Sequence, residues 1–269
     1  MTDLLDLAIR NFSSPAVLFF VLGFLAALAR SDLEIPEQVA KLLALYLLLS
    51  IGFRGGAEIA HHGVNPQMIG AILAGILLSF GTPFLAYAIL RRTTGLRPVD
   101  AAAVAGHYGS ISAVTFAAVT GALDQQGTPY AGYMVTVAAA MEAPAIFSAL
   151  AIARRSAGVA SQATTRQLMR DIALSSSIVV LLGALVIGML TGSRGLTAIK
   201  PFILDPFAGV LCLFLLDMGL VAARGLAKGR PYLTAPVVGF GIAMPLIGAG
   251  LGAAAALAIG LPAGSAAVL

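Results

Sequence analysis

The chain has 269 residues, of which 59% are hydrophobic and only 10% are charged, with a formal net charge of +4. A soluble domain carries about 25% charged residues, so the composition excludes one and points to an all-α, multi-pass integral membrane protein. The positive surplus does not indicate nucleic acid: no basic tract with interleaved aromatics occurs, and the arginines stand at the ends of apolar stretches.

Apolar spans are predicted at 14–29, 36–53, 67–90, 101–121, 130–153, 172–192, 202–223 and 232–259, with a ninth starting near Gly264. Each approaches the about 20 residues of a bilayer crossing, the first being short. That first span follows Asp3 and Asp6 rather than a basic stretch, so it does not read as a cleaved signal peptide. Turn residues punctuate the links, among them Asn65-Pro66, Gly127-Thr128-Pro129, Pro201 and Pro231. The longest link, 154–171, is polar and arginine-rich.

Of the 16 Lys and Arg, only Arg10, Arg54, Arg194 and Lys200 fall on the side of the N-terminus. The rest fall on the other side, which the positive-inside rule makes cytoplasmic. The N-terminus then faces outward, and a bacterial cytoplasmic (inner) membrane is the expected location.

The two halves resemble each other. Leu49-Ser50-Ile51-Gly52 matches Leu216-Asp217-Met218-Gly219, Pro83 matches Pro245, and Gly95-Leu96-Arg97-Pro98 matches Gly260-Leu261-Pro262. A five-span unit crosses an odd number of times, so its second copy is inverted. The expected organisation is a first repeat over 1–153, a cytoplasmic linker over 154–171, and a second, inverted repeat over 172–269 that is C-terminally incomplete. Ten spans are expected, with about eight to nine in this sequence.

One span differs from the others. Within 101–121, Gly106, Gly109, Ser110, Ser112 and Thr115 interrupt an otherwise small and apolar helix. Glycine costs a helix about 1 kcal/mol against alanine, and a break inside lipid is tolerated only where it lines a protein-walled cavity. Broken helices expose amide groups that attract anions and carbonyls that hold cations. Gly106, His107, Gly109, Ser110, Ile111, Ser112 and Thr115 are therefore the expected solute and ion site. Ser110 and Ser112 are the expected sodium contacts. The bland alternative is hydroxyls bonding back to the preceding turn.

Two further residues join that set because an intramembrane carboxylate is costly, at about 2.5–3.5 kcal/mol. They are Glu142, mid-span before Pro144, and Asp217. Arg54 and Glu58 are read as an i,i+4 surface pair, and His61-His62 as an external loop. Cys212 reads as a small core residue. No zinc spacing, GxSxG, Walker loop or GxGxxG occurs. His107 and Ser110 are three apart and form a conceivable dyad, but with no third orienting group. An enzyme is thus not expected, and the rival readings are an anion channel or, further off, an intramembrane enzyme or receptor-like scaffold.

Glu34-Ile35-Pro36-Glu37, Gly52 with Gly55-Gly56, the Gly106-to-Thr115 break and Met141-Glu142-Ala143-Pro144-Ala145 together resemble the sodium-dependent bicarbonate transporters of the SbtA type. That resemblance implies an inverted repeat with two broken crossing helices and a homotrimer. It implies sodium-coupled symport of bicarbonate or another small monoanion, with sodium as coupling ion and no cofactor. It also implies regulation by a PII-like protein at the cytoplasmic face.

Overall fold

The computed structural model describes residues 13–63, 65–157, 170 and 174–269, without the side chains of 62, 113, 114, 142, 143, 154, 156 and 157. Among the described residues the chain is entirely helical, with no strand. The helices are α1 (Pro15–Leu28), α2 (Glu37–His62), α3 (Pro66–Thr93), α4 (Pro98–Gly106), α5 (Ala113–Gln125), α6 (Met134–Ala157), α7 (Ser176–Ile203), α8 (Phe207–Gly229), α9 (Ala235–Ala258) and α10 (Ala263–Val268). Six are long and apolar enough to cross a membrane: α2, α3, α6, α7, α8 and α9. The expected linker over 154–171 lies mostly outside the described residues.

Local chemistry sets several boundaries. Asn65 accepts the Met68 amide at 2.8 Å and Pro66 opens the first turn, so α3 starts there. Ser175 does the same for α7 through the Ile178 amide.

One expected boundary needs correction. The expected end of span two at 53 is overrun, and α2 continues to His62, so His61 stands in its last turn rather than in a loop. Small residues explain the extension: Gly55 and Gly56 pack against neighbouring backbone instead of ending the helix. The expected stop near 192 is marked by Gly192, whose φ of 57° and ψ of -150° are not helical, and beyond this break a second helical piece runs through Pro201 to Ile203. A positive φ is readily available only to glycine.

The helices pack as two groups, and each group draws from both halves of the sequence. In one, α2 lies along α7, α1 along α8, and α2 meets α8. In the other, α3, α4 and α6 pack together, α9 lies on α3, and α10 joins α9 to α5. The seam between the groups is formed by α2 and α8 against α5, and by α2 and α7 against α6.

The first group is held by glycines set against backbone. A Cβ on Gly23 would strike the Leu216 carbonyl, and one on Gly219 the Phe20 carbonyl. The α2–α7 pair repeats the arrangement, with Gly56 on the Leu185 carbonyl and Gly188 on the Phe53 carbonyl. Close approach of this kind replaces hydrophobic driving force between helices in lipid.

Gly219→Ala should therefore force α1 and α8 apart and lose about 1–3 kcal/mol, as overpacking does. Thermal unfolding in detergent is the measurement. Gly225→Ala is the control, because nothing lies within 4 Å of a Cβ there; its midpoint should stay within about 0.5 kcal/mol of the parent.

Candidate functional site

The span expected to be broken is broken. α4 ends at Gly106 and α5 begins at Ala113. At 1.5 Å per residue the two pieces are about 13 and 20 Å long, so neither crosses a bilayer alone. Between them the amides of His107, Tyr108 and Gly109 bond back three residues, to Val104, Ala105 and Gly106, as the helix tightens before it stops. Ser112 takes the N-cap position of α5 in extended conformation but makes no side-chain cap bond, which leaves its hydroxyl uncommitted to the helix.

Proline chemistry in α3 seats this break. Pro83 has no amide proton, so the carbonyl of Ser79, four residues earlier, loses its helical donor. Gly109 packs there: a Cβ on it would lie 2.6 Å from both the Ser79 carbonyl oxygen and Pro83 Cγ, and 2.9 Å from the Ala145 methyl. The neighbouring turns are stitched as well. Buried Ser79 donates its hydroxyl to the Met141 carbonyl, and buried Ser148 donates to the Phe80 carbonyl at 2.7 Å. On the far side Tyr108 meets Phe240 of α9 edge-on at 5.3 Å.

The break opens on a cavity of about 250 Å3. Ser110, Ile111 and Ser112 line it from the break, Phe116 from α5, Val135 and Ala138 from α6, Leu48 and Ile51 from α2, and Ser177 and Leu181 from α7. It therefore lies at the seam, with walls from both helix groups. Drug-sized ligands occupy about 300–1,000 Å3, so the volume suits a small solute. The polar lining is three serines among aliphatic and aromatic side chains, a setting in which the field of a helix end or a bound ion is weakly screened.

The other expected site residues are dispersed. Gly106 and His107 line a separate cleft of about 440 Å3 between α4 and α6, which Ser110 also borders. His107 Nδ1 lies 2.8 Å from the Ala103 carbonyl, so that nitrogen carries the proton and donates it. Gly109 supports the break without lining the cavity. Thr115 is exposed on α5 and lines neither space. Asp217 is buried within α8, in the other helix group, and lines neither. The Glu142 side chain lies outside the described residues.

A larger vestibule of about 560 Å3 lies nearer the start of α1. Arg54, expected beside Glu58, grips Asp124 at the end of α5 there, with Nη1 donating to Oδ2 at 2.5 Å and Nη2 to Oδ1 at 3.0 Å, and the Glu58 carboxylate acts on it as well. A flat guanidinium fits a carboxylate edge through two parallel bonds, which a neighbour on the same helix does not offer as readily. The guanidinium carbon also lies 5.5 Å from the centroid of the Tyr130 ring. Burial pushes the Tyr130 phenol up to about 12, against a smaller opposite pull from Arg54, so it stays neutral at physiological pH.

The sequence profile of the Na+-dependent bicarbonate transporter superfamily matches residues 15–269. The chain belongs to that superfamily. No curated protein matches it. Superfamily membership and the apolar helices together make it a multi-pass membrane transporter. For a member of this superfamily, the site-lining residues that sequence reading missed are Leu48, Ile51, Phe116, Val135, Ala138, Ser177 and Leu181. Only Ser177 carried a signal, as part of the Ser175–Ser177 run that opens α7; the others look like any residue of an apolar span.

Gly109→Ala tests the seat of the break. The added methyl meets a backbone oxygen that cannot rotate away, so about 1–3 kcal/mol of stability should be lost. Gly81→Ala, which has open space, should leave the detergent unfolding midpoint close to the parent's.

Proposed function

We propose that this transporter is a sodium-coupled symporter that takes up bicarbonate, or another small monoanion, by alternating access. The observation that carries the reading is the serine-lined cavity at the helix break, set at the seam between two separately packed helix groups. Membership of the Na+-dependent bicarbonate transporter superfamily supports sodium and bicarbonate as the solutes. Sodium binds first, at Ser110 and Ser112 and the carbonyls that the break sets free. Its charge, added to the positive end of α5, makes the apolar pocket attractive to one small anion. One group of helices then moves against the other, and the cavity exchanges access between the two faces.

An inverted repeat underlies this reading. The two glycine-packed pairs support it, because they correspond element by element. Gly23 on Leu216 matches Gly188 on Phe53, and Gly219 on Phe20 matches Gly56 on Leu185. This register pairs Gly219 with Gly56, one turn beyond the Gly52 of the sequence match. The protein works as a homotrimer in a bacterial inner membrane with its N-terminus outside, and a PII-like protein regulates it from the cytoplasmic face. Those features follow from the family resemblance and from the placement of Arg and Lys.

Uptake of labelled bicarbonate into proteoliposomes, with and without an inward sodium gradient, tests the proposal. Accumulation should require sodium. Ser110→Ala and Ser112→Ala should each raise the sodium concentration for half-maximal uptake about tenfold, the worth of one bond to a charged group. No sodium-dependent accumulation of bicarbonate or any other small monoanion would overturn it.

A further inference from the structure

The vestibule and the serine-lined cavity are neighbours along the same seam. Two side chains, Ile51 of α2 and Val135 of α6, line both, so they form the partition between them. Directly beside this partition the two helix groups are in close contact. A Cβ on Gly55 would lie 2.7 Å from the Gly132 carbonyl and 2.8 Å from a Val135 methyl, and the Glu58 side chain lies over Gly132. The Arg54–Asp124 pair spans the gap at this level. Arg54 belongs to the α2 group and Asp124 to α5 on the opposite side of the seam.

We propose that the Arg54–Asp124 pair is a latch between the two helix groups, closed in this structure, and that the way from vestibule to cavity opens only when it parts. The inference rests on the alternating-access reading, but not on which ion is carried. Three features suit the pair to that task. Its fork geometry is specific, so a slide of one helical turn, about 5.4 Å, separates the partners. Its side chains are 44% and 37% exposed, and an ion pair so open to water biases an equilibrium without freezing it. Arg54 also shares the vestibule with further carboxylates, Glu58 and Asp205, among its described lining residues.

The test is access to the cavity. In full-length protein with Cys212→Ser, Ala138→Cys places a thiol in the cavity but not in the vestibule. A membrane-impermeant thiol reagent is then applied from the side of the α1 N-terminus. Arg54→Gln and Asp124→Asn should each speed the reaction by up to about fivefold, the upper end of the range for an exposed pair. The exchanged double variant Arg54→Asp with Asp124→Arg should slow it again toward the parent. Unchanged rates in both single variants, or a double variant as fast as they are, would overturn the proposal. Should the variants misfold, the parent reporter decides. Raising N-methylglucamine chloride to about 1 M shortens the screening length to about 3 Å and should speed labelling, and a salt-independent rate would overturn the latch. Sodium-driven uptake is measured alongside. If uptake fails while access responds to the variants, the solute reading falls and the latch stands; sound uptake with unresponsive access removes the latch alone.

Discussion

The structure turns on one contact: Gly109 resting on the carbonyl that Pro83 strips of its helical partner. Inside a bilayer a freed peptide group has no water to turn to. A helix break and a proline kink are each costly when isolated. Placed together, each covers the irregularity of the other, and Ser79 and Ser148 tie the turns of α3 and α6 around them. Only a residue without a side chain reaches that carbonyl. The break is therefore held by a rigid support, which lets Ser110 and Ser112 hold a fixed position at the cavity wall.

The same structure joins helices in two different ways. Inside the α1, α2, α7, α8 group, glycines bring backbones into contact along most of each helix pair. Such a surface has no rotamers to adjust and separates only at the loss of all its contacts. Across the seam Gly55 meets the Gly132 carbonyl, but side chains also carry the contact: Ile51 and Val135 at the partition, and the Arg54 fork on Asp124. Side chains exchange partners over helical-turn distances, whereas packed backbones do not. If one part of the molecule slides on another, the seam is where it yields, and the cavity lies on that seam.

How much of this was legible in the sequence depends on the range of the interaction. The break was legible because its cause is local: two glycines and two serines in ten residues contradict a membrane helix wherever they occur. Pro83 was legible as punctuation, but not as the seat of Gly109, since nothing in the chain says that residues 26 apart will touch. Arg54 shows the limit most clearly. Glu58, at helical spacing, is the partner that local geometry suggests, while the partner found is Asp124, 70 residues away. The over-run of α2 past Gly55-Gly56 has the same origin. Glycine pairs read as helix ends when neighbours are unknown, and as helix contacts once Leu185 and Gly132 are in place. Asp217 was singled out for its charge, a property that does not encode which helix group will bury it.

The chemistry of the two spaces then divides the work of moving an ion. The vestibule is charged and open to water, with a phenol and a guanidinium at one wall and carboxylates around it. In the proposed symport an ion would enter there with its hydration intact. Among its described lining residues the inner cavity offers hydroxyls, a helix end and hydrocarbon, and no charged side chain. An anion alone gains little there against the cost of leaving water, because serine hydroxyls and half a unit of helix charge do not replace a hydration shell. In the proposed symport, a sodium ion already seated would supply the missing unit charge in a place where screening is weak. Under the proposed symport, a lining with no fixed cation among its described residues suits obligatory coupling rather than passive anion flow. With a lysine or arginine in the cavity the anion would bind without sodium, and the gradient would have nothing to drive.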